Sequence, residues 1–290
     1  MRNRAVFVAV SLLTLAVAAT TTAQQQPPPF DTKKVADNVY VFRHMGHQAM
    51  FVVTGDGVIA TDPINPTASK VYLEEIRKIT PAPIRYVIYS HHHFDHISGG
   101  APFKEAGATF IAHQRAKDAL ARLKNPTVVI PDLAIDDSGN SLTVGGTRID
   151  LRYVGRNHSD NTLVVHLPKE KVIFAVDFLP IKEVLFRNIP DSFYDEWIES
   201  IDRVLALDWD RMIAGHPRQG GIGTKEDVRN LKQYMVDLKE AVREPAAQGK
   251  CFDAAMKEVK LPKYESWGRY NEFLPLNVER LCLYWRNGWQ

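Results

Sequence analysis

The segment Ser90-His-His-His-Phe-Asp-His-Ile-Ser-Gly-Gly100 constrains this chain more than any other stretch. Within it, His91, His93, Asp95 and His96 have the spacing H-x-H-x-D-H. In a turn that follows a strand, residues two apart can point the same way, so His91 and His93 can share one ion. Asp95 and His96 come from the next part of the loop and can reach a second ion beside the first. Imidazole nitrogens and carboxylate oxygens suit zinc, with iron or manganese as the weaker fit. Gly99 and Gly100 let the chain turn into the next helix without crowding such a site.

A lone histidine cluster could be an adventitious metal-binding patch, but three later residues repeat the placement. The run Ile84 to Tyr89 leads directly into the cluster. His158 follows the strand-like Arg148 to Val154, Asp177 ends Lys171 to Val176, and His216 follows Arg211 to Ala214 through Gly215. Four apolar strands thus each deliver a donor just past their C-terminal ends, and ends that share one edge would bring all of these donors together. Other β-rich runs are Val39 to Phe42, Met50 to Thr54, Gly57 to Thr61, Thr109 to Ile111 and Thr162 to Leu167, with a hairpin signal at Gly55-Asp56-Gly57. Helical spacing appears at Ala68 to Ile79, Gly100 to Ala106, His113 to Leu123 and Asp195 to Leu207. Strands in two batches with helices between them predict two sheets with helices packed outside, an α/β (α+β) architecture.

With these residues in place, the chain resembles the metallo-β-lactamase superfamily over about residues 35 to 220. The resemblance implies an αββα sandwich with metals along one edge. It implies that His91, His93 and His158 hold the first metal, that Asp95, His96 and His216 hold the second, and that Asp177 bridges them. Asp62, before Pro63, matches a family aspartate that supports the ligands from beneath, and orienting partners of this kind fix ligand tautomers. Two zinc ions are therefore the expected cofactors. Water shared between such ions loses its proton near neutral pH, its pKa falling from 15.7 toward roughly 7 to 9, and the resulting hydroxide attacks a carbonyl carbon. Asp95 could both bind metal and orient that nucleophile.

The substrate is less legible. His158-Ser-Asp-Asn161 resembles a His-Ser/Thr-x-Asp-Asn run of the β-lactamase subclass with a cysteine ligand, though one residue shorter, and that subclass has cysteine where this chain has Asp177. An aspartate bridge resembles glyoxalase II, lactonases and related esterases and phosphodiesterases. The expectation is a hydrolase of a small-molecule ester, lactone or amide, with β-lactam a serious candidate. A mononuclear iron sulfur dioxygenase of the same fold, or a non-catalytic periplasmic accessory protein, is the alternative.

The basic Met1 to Arg4, the apolar Ala5 to Ala19 and small residues up to Ala23 read as a secretory signal peptide, residues 1–23. Residues 24–34 read as a flexible leader, 35–223 as the catalytic domain and 224–290 as a helical C-terminal extension. Within that extension Thr224 to Val242, Cys251 to Val259 and Asn277 to Trp285 are the expected helices, with Thr224 as N-cap of the first. The expected location is periplasmic or secreted, with no membrane span after cleavage. A formal net charge of +2 with no basic block argues against nucleic acid as partner. Cys251 and Cys282 are too few for a thiolate zinc site, and the sequence leaves both a disulfide and two buried thiols open.

Among the remaining residues, Lys182, Arg187 and Asn188 follow the bridging aspartate and could grip a substrate carboxylate, against a default of solvated surface. His92 and Phe94 fill the variable positions of the motif. His44 and His47 lie in a hairpin region that could form a pocket lip, with exposed surface the default, and His113 and His166 read as a helix start and a strand face. Trp267, Tyr270, Phe273, Tyr284 and Trp285 read as core, with some able to roof the site.

Overall fold

A computed structural model describes residues 29–217 and 221–289. The chain enters as β1 (Phe30–Lys34), β2 (Val39–His44), β3 (His47–Thr54) and β4 (Gly57–Thr61), paired antiparallel in sequence order. Helix α1 (Pro66–Ile79) then crosses over to β5 (Ile84–Ile88), which runs parallel to β4. The short helices α2 (Phe94–Ile97) and α3 (Ala101–Glu105) lead to β6 (Thr109–His113), and α4 (Gln114–Leu123) leads to β7 (Leu133–Ile135). Both strands extend the sheet in parallel.

The second sheet holds β8 (Asn140–Val144), β9 (Thr147–Tyr153), β10 (Leu163–Leu167), β11 (Val172–Ala175) and β12 (Arg211–Ala214), in the order β12-β11-β10-β9-β8. Helix α5 (Tyr194–Leu205) lies in the crossover that makes β12 parallel to β11. The extension follows as α6 (Lys225–Ala247), α7 (Asp253–Glu258) and α8 (Tyr270–Asn287).

The period-two alternation of strand side chains sorts these elements into four layers. On β3, Met50 and Val52 point between the sheets and meet Ile149, Leu151, Val165 and Phe174. Ala49 and Phe51 point the other way, against Tyr72 of α1 and Phe103 of α3. On β10, Leu163 and Val165 face the first sheet while Val164 faces α5, α6 and α8. The result is an αββα sandwich, and each large apolar side chain buried in it contributes about 1.5–3 kcal/mol. Local chemistry agrees with the helix starts. Asn65 caps α1 through the N–H groups of Thr67 and Ala68 with Pro66 at the first position, and Thr224 and Asp227 form a capping box on α6.

The structure departs from the sequence expectation in several places. Phe30–Lys34, inside the segment read as a flexible leader, is an edge strand whose Asp31 pairs with Arg43 of β2. Its polar composition hides it, because an edge strand with one open face needs few apolar residues. The edge strands β7 and β8 are largely exposed and lack an apolar signature for the same reason. Helix α8 begins at Tyr270, well before Asn277, with Pro275 tolerated inside it. Cys251 and Cys282 form a disulfide with Cα atoms 5.5 Å apart, tying the approach to α7 to α8. The signal-peptide residues 1–23 and residues 24–28 of the leader lie outside the described residues. Among the described residues no helix is long and apolar enough to cross a membrane.

Candidate metal centre

Strand direction decides which residues meet. In the first sheet β4 and β5 are parallel, and in the second β9, β11 and β12 run the same way. Their C-terminal ends carry Asp62 after β4, the His91–His96 segment after β5, His158 after β9, Asp177 after β11 and His216 after β12. All of them converge at one edge. Because β3 is antiparallel to β4, its first residue, His47, arrives at that edge as well.

Among the described residues three donor groups have ligand atoms within 4.8 Å of one another: His91, His93, His158 and Asp177; His47, Asp95, His96 and His216; and a smaller, more exposed set of His92, His93 and Asp191 that shares His93 with the first. The two four-residue groups form the centre. In the first, His158 Nε2 lies 3.1 Å from His93 Nδ1, and His91 Nε2 lies 3.5 Å from Asp177 Oδ2. In the second, His96 Nε2 is 2.9 Å from His216 Nε2, and Asp95 Oδ2 is 3.2 Å from His216 Nε2 and 3.5 Å from His47 Nε2. Asp177, a member of the first, also reaches the second, with Oδ2 3.1 Å from His96 Nε2 and Oδ1 3.4 Å from His216 Nε2. Its backbone holds φ at 66°, a strained conformation of the kind concentrated at functional sites. Gly215 makes the close approach possible, since a Cβ there would stand 2.5 Å from Asp177 Oδ1 and 2.9 Å from His96 Cε1.

The outer ring nitrogens are held in turn. His91 Nδ1 meets Ser90 Oγ at 2.9 Å, and Ser90 donates from both its hydroxyl and its backbone N–H to buried Asp62. Asp62 Oδ2 also lies 3.7 Å from His96 Nδ1. His216 Nδ1 faces the Gly46 carbonyl at 3.2 Å, and His93 Nε2 faces Asp191 Oδ2 at 3.2 Å. Partners of this kind fix which nitrogen points inward and make it a better donor.

The donor set fits a cation. Burial pushes the His91 pKa well below its usual value and that of His158 down to about 4, so both rings are neutral and offer lone pairs. His91 Nε2 is buried with no hydrogen-bond partner among the described residues. Burial works to raise the Asp177 pKa, but His96 and His216 outweigh it and hold the carboxyl ionised well below its usual range. Burial likewise opposes a charge on His96, yet Asp177 and Asp95 raise that pKa to about 9, so a proton competes with a metal for this ring. Burial raises Asp62 to about 6, partly countered by His96 and Ser90.

The ligands His91, His93, Asp95, His96, His158, Asp177 and His216 expected from the sequence are therefore brought together, with Asp62 beneath them. The structure adds His47, which the sequence reading set on exposed surface, and Asp191. The antiparallel register of β3 is the signal that would have placed His47. Lys182, Arg187 and Asn188 are exposed and lie outside the described lining of the cleft. His92 leans on Asn161 while its ring packs on His93 with centroids 4.7 Å apart and its Nε2 lies 3.8 Å from Asp191 Oδ2. His113 faces Asp137 and His166 faces the Asp208 carbonyl. The cleft has a volume of about 870 Å³.

An αββα sandwich with two adjoining His/Asp donor groups along one edge defines a class of metal-binding proteins built for small-molecule chemistry. The profile of the metallo-beta-lactamase superfamily matches residues 43–216, more than half of the chain, and the chain belongs to that superfamily. It is similar to the alpha subunit of a 2,4-dinitroanisole O-demethylase from Nocardioides sp., at 26% identity over 167 residues covering 57% of this chain and 51% of that protein. The chain thus spans about half the length of that relative. A metallo-beta-lactamase type 2 from Bacteroides fragilis is 22% identical over 255 residues, covering 83% of this chain and all of that one. The solved metallo-beta-lactamase from Pontibacter korlensis superposes with a TM-score of 0.63 at 17% identity, covering 72% of this chain and 99% of that one.

Proposed function

We propose that this chain is an exported hydrolase that holds two zinc ions and cleaves an ester, lactone or amide bond, β-lactams included. The observation that carries the proposal is the sharing of Asp177 between two donor groups, one with three histidines and one rich in imidazole and carboxylate. Such sets favour zinc over calcium or magnesium, which take oxygen ligands. His91, His93 and His158 would hold one ion, Asp95, His96, His216 and His47 the other, with Asp177 between. Two zinc ions so held supply Lewis acidity that polarises a carbonyl and brings water toward a pKa of about 7.

The protein's own residues do the rest. Asp95 is half exposed to the cleft while its carboxylate faces His216 and His47. Burial alone would raise its pKa, but those hydrogen bonds dominate and keep it ionised, able to accept a proton from attacking water. Asp62, Ser90, Gly46 and Asp191 hold the rings in place. Export is supported by the pattern of residues 1–23 and by the Cys251–Cys282 disulfide, which persists in oxidising compartments.

The test is turnover of a chromogenic β-lactam, an aryl ester and a lactone by zinc-loaded mature protein with a chelator control. Chelator-sensitive turnover of one or more is expected. Full activity in metal-free protein, or silence on all three, contradicts the proposal. A chain exported with its N-terminus still at Met1 contradicts cleavage after Ala23.

A further inference from the structure

The C-terminal extension lies beyond the residues that match the family, yet it lines the same cleft as the donor groups. Trp267, Tyr270 and Phe273 form part of the wall, and Phe186, from the stretch after Asp177, lines the same cleft. Phe186 is 55% exposed, although burying a phenyl ring is worth about 1.5–3 kcal/mol. Its ring meets Phe273 edge to face, with centroids 5.5 Å apart.

The extension fastens the segment that carries Phe186. Val184 N–H donates to the Gly268 carbonyl at 3.2 Å, and Gly268 N–H donates to the Lys182 carbonyl at 2.9 Å. Fully buried Asn277 of α8 donates its amide to the Leu185 carbonyl at 2.9 Å and to the Arg187 carbonyl, bracketing Phe186 on both sides. Tyr234 of α6 in turn donates to Asn277 Oδ1 at 2.7 Å. An apolar ring is thus presented to the cleft and held there from both directions by buried polar contacts. Arg269, the one cation among the described lining residues, is engaged by Glu272 at 2.7 Å and Glu183 at 3.8 Å and stacks over Phe273. Glu183, Glu265, Asn271 and Glu272 also line the cleft, so Phe186 and Phe273 form an apolar patch within a mixed wall, and a cleft of about 870 Å³ has room for more than the scissile group.

We infer that Phe186, Phe273 and Trp267 form a subsite for an aromatic ring carried by the substrate next to the bond that is cleaved. The inference rests on the hydrolase proposal and deepens it by naming the substrate class. An aromatic guest gains edge-to-face contacts with these rings in addition to burial, and the backbone on either side of Phe186 is already fixed, which lowers the ordering cost.

The experiment uses two probe acids, phenylacetate and acetate, whose binding to zinc-loaded protein is measured by calorimetry. Turnover of methyl phenylacetate and methyl acetate is followed by proton release. The native chain is expected to bind phenylacetate about tenfold more tightly than acetate, and Phe186→Ala to erase most of that preference, in line with the worth of an aromatic contact. KM for methyl phenylacetate should rise more than KM for methyl acetate. Phe186→Ala removes an exposed side chain, so folding is checked simply by an unchanged melting temperature. Leu123→Ala, exposed on α4, serves as the control and keeps the preference. Equal binding of the two acids, or a preference that survives both Phe186→Ala and Trp267→Ala, overturns the subsite even where both esters are cleaved. Selective, Phe186-dependent binding without turnover of either ester supports the subsite and counts against the hydrolase reading.

Discussion

The two donor groups are made of the same chemistry at different depths. In the first, the His91 side chain is fully buried, those of His158 and Asp177 are 10% and 8% exposed, and His93 at its rim is 24% exposed. In the second, only His96 is buried, while His216 is 41% and Asp95 52% exposed. Burial keeps the His91 and His158 rings neutral, whereas the more open set faces water and the substrate. Depth therefore separates retention from reactivity: the inner group is expected to bind its ion tightly, the outer group to exchange its ion and meet the substrate.

The harshest test of this division is Asp177→Ala, which removes the side chain that reaches both groups. It should cost both zinc equivalents by mass spectrometry and take turnover below detection; retention of two equivalents would end the bridging role. Next in size is the contrast between His158→Ala and His216→Ala. Loss of His158 should empty the inner group, while loss of His216 should leave one tightly held equivalent, and the reverse order would invert the comparison. A smaller effect is expected from Asp191→Ala. Losing the partner of His93 Nε2 should weaken zinc at the inner group about 10- to 100-fold in a chelator competition, as for other orienting partners, with partial rescue by Asp191→Glu. The smallest effect belongs to His47→Ala, which should weaken the outer ion alone, because Asp95, His96, His216 and Asp177 remain around it.

Most of this edge was legible in the sequence because strand periodicity and ligand chemistry are both local. Apolar runs marked the strands that end before His91, His158, Asp177 and His216, and the donor residues declared themselves by type. His47 was legible as a possible pocket lip but not as a donor, since it opens a strand and reaches the edge only through the antiparallel register of β3 with β4. Asp191 sits in a stretch without periodicity, where Lys182, Arg187, Ile189 and Asp191 all adopt positive φ. Its position depends on contacts with α8 far along the chain. The polar edge strands carry no apolar pattern that a sequence could reveal. The tail aromatics divide in a way that composition cannot reveal. Trp267, Tyr270 and Phe273 line the cleft, whereas Tyr284 donates to Asp195 at 2.7 Å and Trp285 to the Lys239 carbonyl at 2.9 Å.

The most direct measurement is a zinc titration of metal-free protein, counting bound metal by mass spectrometry while following chelator-sensitive hydrolysis of the ester, lactone and β-lactam in parallel. Two equivalents per chain are expected, the first bound tightly and the second more weakly, with full turnover reached as the second site fills. A single bound iron, or turnover independent of added metal, would contradict this.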